Sequence, residues 1–225
     1  MSALTFTLRE PPARTIDCAP LIPQLLADKT PAEIAAIELA CGNRRRRVDS
    51  LFDVSGDDGQ NVVIRRSCER LAWIGKNMTG GTLSVEGDAG PYAGCGMRGG
   101  TLTVSGNAGA WAASGLAGGE LRIGGNAGDF LAGALPGDKY GMRGGLVIVD
   151  GDAGDRAADR LRRGVLLIKG RAGDYLASRM RAGTVMVLGD IGDCAGFLMK
   201  RGTLILRQTP RHLLPTFGDC GIHAL

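Results

Sequence analysis

Met78-Thr-Gly-Gly-Thr-Leu-Ser-Val-Glu-Gly-Asp-Ala-Gly90 is rewritten nineteen residues later as Met97-Arg-Gly-Gly-Thr-Leu-Thr-Val-Ser-Gly-Asn-Ala-Gly109. Further copies begin at Leu116, Met142, Leu161, Met180 and Met199, at an interval of 19 except between Leu116 and Met142, where it is 26. A fixed period of this size marks a solenoid: no unit can bury its apolar face alone, and each stacks on its neighbours to do so. Counting Met78 as position one, positions six and eight are aliphatic throughout, from Leu83 and Val85 to Leu204 and Leu206. A spacing of two is strand spacing and puts both residues on one face. The residue between them is mostly polar or tolerant (Ser84, Thr103, Arg122), so the opposite face meets solvent or a partner.

Position four is glycine in every copy (Gly81 to Gly202), as is position thirteen in each copy that reaches it (Gly90 to Gly192). Such positions call for positive φ or for an inter-coil approach too close for a Cβ. No ten-residue helix fits between the glycines, which excludes leucine-rich and ankyrin-type repeats. The expected fold is therefore an all-β solenoid, a parallel β-helix of about seven 19-residue coils over residues 61–207, in a rod roughly 30–35 Å long. Met or Leu at position one and Tyr92, Trp111, Phe130 and Tyr175 at position fifteen are expected to fill the interior or its corners. Arg156 and Cys194 interrupt the aromatic series and leave an outward placement open.

Residues 1–60 differ in texture and are read as a small α/β cap over the open end of the coil stack, which would otherwise expose unpaired backbone. Leu4, Phe6 and Leu8 alternate as a strand does, and Ala19 to Ala27 suit a short helix interrupted by Pro23. Thr30-Pro31-Ala32-Glu33 is a capping box with proline at the first helical position, and predicts a helix over 31–41. Residues 47–55 and 62–65 read as degenerate first coils, and 208–225 as a C-terminal tail.

Composition bounds the function. The net charge of +4 is mild, and with aromatics at 4% a stacking platform for single-stranded nucleic acid is not expected. No apolar run approaches a membrane span and no secretory layout opens the chain, so a cytoplasmic protein without membrane or nucleic-acid partners is expected. The six cysteines contain no C-x-x-C pair, which argues for free thiols in a reducing compartment rather than a zinc or iron–sulfur site. The two histidines, His212 and His223, both lie in the tail. No H-E-x-x-H, G-x-S-x-G, P-loop or Ser/His/Asp set occurs, and each Gly-x-Gly belongs to the repeat. Neither a catalytic residue nor a bound metal or cofactor is expected of this chain.

Three features carry candidate binding chemistry. Position eleven (Asp88, Asn107, Asn126, Asp152, Arg171, Asp190) and the position-fourteen aspartates Asp129, Asp155, Asp174 and Asp193 form ladders. Their period is wrong for a nine-residue calcium roll, and turn side chains bonding the corner backbone explain position eleven better. The second feature is a basic ridge at position two, Arg98, Arg143, Arg162, Arg181 and Lys200, with Arg163, Arg201, Arg160 and Arg179 close by. Stacked cations repel. Either the position-fourteen aspartates or solvent offset them, or an anionic ligand or acidic partner does. The run Arg44-Arg45-Arg46-Arg47 is similarly ambiguous. The third feature is the extra stretch at 135–141, with Pro136, Asp138, Lys139 and Tyr140, because insertions in solenoids fall on one face and often on the binding face.

The glycine repeat, its A-G-D corners and the stretch Gly133-Ala-Leu-Pro-Gly-Asp-Lys-Tyr-Gly-Met-Arg-Gly-Gly145 resemble the C subunit of formylmethanofuran dehydrogenase. The opening Ser2 to Leu8 and the tail Pro215 to Gly221 resemble more closely its bacterial relative, the C subunit of the formyltransferase/hydrolase complex, whose chains usually continue past the Asp219-Cys220-Gly221 motif, whereas this one stops at Leu225. A similar repeat forms the C-terminal domain of glutamate synthase large subunits. The resemblance implies a right-handed β-helix acting as a non-catalytic scaffold beside three other subunits (A, B and D). It implies a complex that passes a formyl group from formyl-tetrahydromethanopterin to a methanofuran-type carrier and releases formate, with a hydrolase metal in another subunit. The carrier of that family bears glutamates, so the basic ridge becomes a candidate guide for its acidic tail. The alternatives are the C subunit of a molybdenum or tungsten dehydrogenase, or a glutamate-synthase-like oxidoreductase module.

Overall fold

The structure, a computed structural model, describes residues 2–221; His223 and Leu225 lie outside them. The cap comprises β1 (Ala3–Leu8), β2 (Ile16–Asp17), α1 (Pro23–Leu26), α2 (Pro31–Ala35), β3 (Glu38–Cys41), β4 (Arg44–Arg47), α3 (Val48–Leu51) and β5 (Phe52–Ser55). The coils contribute β6 (Asp58–Ser67), β7 (Leu71–Ala72), β8 (Thr82–Gly87), β9 (Thr101–Val104), β10 (Glu120–Ile123), β11 (Arg143–Val149), β12 (Arg163–Ile168), β13 (Thr184–Val187) and β14 (Thr203–Leu206). From β6 to β14 the main-sheet strands pair in parallel, each with the equivalent strand of the next coil. This is a parallel β-helix of about eight turns.

Register turns the repeat into columns. Leu83, Leu102, Leu121, Val147, Leu166, Val185 and Leu204 lie successively opposite one another. All but the last are buried, because among the described residues no further strand pairs with β14 beyond Leu204. Each such aliphatic side chain contributes about 1.5–3 kcal/mol by leaving water. Leu121 still pairs with Val147 across the long interval, so the extra residues loop out without disturbing the stack. A second side is a line of parallel bridges from Ala89 through Ala108, Ala127, Ala153 and Ala172 to Ile191. A third is made of tight turns. Both reasons for glycine occur: Gly100 has φ +80, while a Cβ on Gly109 would come within 2.7 Å of the Pro91 backbone nitrogen.

Position fifteen does not fill the interior. Trp73, Tyr92, Trp111 and Phe130 are half-buried on the outside, stacked at centroid distances of 4.0, 5.6 and 5.1 Å with planes within 10°. Arg156 continues the column, 5.9 Å from the Phe130 ring and 4.6 Å from that of Tyr175. Their left-handed backbone turns these side chains outward, and the inner corner is occupied instead by small or aliphatic residues such as Ala93, Ala112, Leu131 and Ala157. The strain of those left-handed residues is offset by bonds between coils, for example Trp111 N–H to Asp129 O at 2.9 Å.

The cap departs from expectation in three places. The capping box forms as read, Thr30 N–H donating to Glu33 at 2.8 Å, but the helix ends at Ala35 rather than 41. Residues Glu38–Cys41 form β3, which pairs with β4 around Gly42-Asn43. Gly42, at φ +60, is the first residue of a two-residue hairpin turn rather than a helix stop, and burying Leu39 in the sheet outweighs helix propensity. Pro23 opens α1 instead of interrupting a helix, since its fixed φ suits a first turn. Residues 47–55 are not a coil: they hold α3 and β5, and β5 runs antiparallel to β1. Pairing of β1 on β6, and of β2 on β7, carries the coil stack into the cap and covers its first turn.

Candidate functional site

The basic ridge is a true column. Each position-two backbone N–H bonds the position-one carbonyl of the preceding coil: Arg98 to Met78 at 2.8 Å, Arg162 to Met142 at 2.9 Å, Arg181 to Leu161 at 2.8 Å and Lys200 to Met180 at 2.9 Å. Arg143 takes the same place over Leu116, and Ala117 leaves one gap. Arg163 begins β12 and Arg201 precedes β14. All seven cations are exposed, and among the described residues none forms an ion pair. The position-fourteen aspartates therefore do not offset them. Those carboxylates face backbone: Asp129, Asp155 and Asp174 accept from the N–H of Asp155, Asp174 and Asp193 at 2.8–2.9 Å, and Asp193 meets His212 at 3.3 Å. Position eleven does the same, Asp88 and Asn107 accepting from the next coil at 2.7 and 2.8 Å. Both ladders are corner fasteners. No group of metal-binding side chains occurs among the described residues.

The insertion folds back onto this ridge. Arg162 lies 4.8 Å over the Tyr140 ring, and Arg160 donates to the Asp138 carbonyl at 2.9 Å. Lys139, Arg160, Arg179, Arg181, Lys200 and Leu198 then line one cleft of about 400 Å3. The structure thus gathers Lys139, Arg181 and Lys200 with Arg160 and Arg179. Arg162 and Tyr140 flank them, Arg143 and Arg98 continue the column away from the cleft, and Arg163, Arg201, Pro136 and the Asp138 side chain take no part in its lining.

Behind the cleft stands Asp159, the residue that sequence reading missed. Its side chain is 3% exposed and receives two contacts from Arg179 Nη2, at 2.8 and 3.0 Å, a third from Nε, and the Ser178 hydroxyl at 2.5 Å. Arg160 Nε lies 3.8 Å away. Two guanidiniums share one carboxylate, so the cluster keeps a net positive charge and holds both arginines in place. The signal was available: position eighteen holds Cys95, Ser114 and Ser178, and a carboxylate in that buried column requires cationic partners.

The outward side of the main sheet changes character at the insertion. Ser84, Thr103 and Arg122 share one row, and the row continues as Ile148, Leu167, Met186 and Ile205. Ile205 is 43% exposed, and Val165, two residues before Leu167 on the same face of β12, is 42% exposed. The polar residues of this row are therefore confined to the three coils just before the insertion. Cys18, Cys41, Cys68, Cys95 and Cys194 are free thiols, and burial pushes the Cys95 thiol up to about 11, so it is protonated at neutral pH.

The chain is similar to several known proteins. The family model described as the GXGXG motif matches residues 74–215. A chain in the crystal structure of the formyltransferase/hydrolase complex (FhcABCD) from Methylorubrum extorquens, determined with methylofuran, superposes with a TM-score of 0.93 at 38% identity, over 98% of this chain and 83% of that one. The C subunit of the tungsten-containing formylmethanofuran dehydrogenase 2 of Methanococcus maripaludis is 33% identical over 96 residues, 42% of this chain and 35% of that relative. That of Methanocaldococcus jannaschii is 44% identical over 57 residues, 24% and 21% of the two chains. The matched region spans about a third or less of these curated relatives. No helix among the described residues is long and apolar enough to cross a membrane.

Proposed function

We propose, from the premise that this chain belongs to the GXGXG motif family and is homologous to the C subunit of formylmethanofuran dehydrogenase, that it is the non-catalytic scaffold of a formyltransferase/hydrolase complex. The observation that carries this reading is the chain-long likeness, at 38% identity, to a chain of the FhcABCD complex. In such an assembly a formyl group would pass from formyl-tetrahydromethanopterin to a methanofuran-type carrier and leave as formate. Three other subunits (A, B and D) would supply the reacting groups and the hydrolase metal. Two features of this chain fit the role. The apolar row Ile148, Leu167, Met186 and Ile205 is a surface that a partner subunit would cover. The cleft of Lys139, Arg160, Arg179, Arg181 and Lys200 would hold the acidic tail of the carrier as it travels between active sites.

Co-expression with the partner subunits tests both parts. A complex whose only metal is that of the hydrolase is expected; molybdenum or tungsten with iron–sulfur clusters would instead assign the chain to a dehydrogenase, the reading that the curated relatives favour, and flavin would point to a glutamate-synthase-like module. The variant Arg181→Glu with Lys200→Glu is expected to assemble normally yet to lose salt-sensitive formyl transfer. Unaltered transfer at low salt would reduce the cleft to a solvated edge.

A further inference from the structure

The arginine run has a structure that its sequence hides. Among the described residues strand β4 pairs only with β3 and forms an edge of the order β4-β3-β2-β7. Alternation along β4 sorts its four side chains into two pairs. Arg45 meets Glu38 at 3.5 Å and Arg47 meets Asp49 at 2.6 Å, so that pair is neutralised. Arg44 and Arg46 have no carboxylate partner among the described residues; Arg46 reaches only the Ser50 hydroxyl, at 3.5 Å. Both line a cleft of about 710 Å3 between β4 and the segment 9–14, together with Arg9, Glu10 and Arg14. Arg14 is held there: it donates to the Asn43 side chain at 3.1 Å and packs against Gly42, where an added Cβ would come within 2.9 Å of it. Charge on an edge strand also discourages aggregation, but all four arginines would serve that purpose alike. Alternation sets which two share a face, but not that the pair lining the cleft is the one without carboxylates.

We propose that this edge receives an extended acidic segment of a partner protein, added as a strand beside β4. Backbone groups of β4 would pair with the incoming strand, and carboxylates at alternate positions would meet Arg44, Arg46 and Arg14. The site lies on the cap, apart from the basic ridge of the coils, and does not depend on the function proposed above.

A fluorescent peptide alternating glutamate and valine, titrated into the full chain and read by anisotropy, tests it. Binding is expected to weaken about tenfold or more in Arg44→Gln with Arg46→Gln, and less than about twofold in Arg45→Gln with Arg47→Gln. N-methylation of alternate peptide amides is expected to abolish it. Circular dichroism checks that each variant folds, and Arg44→Lys with Arg46→Lys is expected to recover part of the affinity. Equal loss in both glutamine pairs, or no binding of the peptide, overturns the proposal. Undiminished binding of the N-methylated peptide, or full competition by inorganic phosphate, replaces the strand with a small-anion site and overturns it equally.

Discussion

The coils before the insertion and those after it share one interior and present different exteriors. Leu83, Leu102 and Leu121 bury the same face as Leu166 and Val185. Outward, after Val63 on β6, the three coils that precede the insertion show Ser84, Thr103 and Arg122 and the later ones Ile148, Leu167, Met186 and Ile205. Position eighteen changes likewise, from the buried Ser114 to the buried Asp159 with its two arginines. Stacking constrains only what points inward, so a solenoid can change its business face from one coil to the next without disturbing the hydrogen-bonded ladder. The loop at 135–141 sits at that change and helps build the basic cleft.

Removing the carboxylate should break the contrast most sharply. Asp159→Ala is expected to cost about 1.5–3 kcal/mol in chemical denaturation, because it removes the charged acceptor of Arg179 and of the Ser178 hydroxyl. Its counterpart Ser114→Ala should be neutral or slightly stabilising, since the buried Ser114 hydroxyl has no partner. Equal costs would mean that the two halves are not electrostatically distinct.

The outer row supplies the next test. Leu167→Asp with Met186→Asp should prevent co-purification with partner subunits while changing the chain's own stability by no more than about 1 kcal/mol, whereas Ser84→Asp with Thr103→Asp should leave assembly intact. Partner binding that survives the first pair would detach the apolar row from assembly.

The cap gives a smaller, local effect. Thr30→Ala should lower stability by about 1 kcal/mol, by removing the acceptor for the Glu33 N–H. The smallest effect is in pH. Hydrogen bonds from the Thr30 backbone N–H and hydroxyl hold the Glu33 carboxyl below its ordinary value. Its folded pKa lies below the unfolded one, so this contribution is complete above the ordinary carboxylate range, about 4.3, and fades as pH falls through the lowered value. The acid limb of the Thr30→Ala stability curve should accordingly be shallower than that of the wild type.

Sequence alone determined whatever the period repeats: the stacked strands, their inward pairs Leu102 and Val104 or Leu166 and Ile168, the corner glycines, and the asparagine and aspartate fasteners. These are local requirements imposed again at every coil, so repetition made them visible. Only tertiary structure decided the ending of α2 at Ala35, the outward stacking of Trp111 on Phe130, the meeting of Lys139 with Arg181, and the sorting of Arg44 and Arg46 from Arg45 and Arg47. Each of these depends on which distant segment lies alongside. A pattern read along one chain records the face a residue shares with its neighbours, and the groups across the gap are fixed only when the coils and the cap close upon one another.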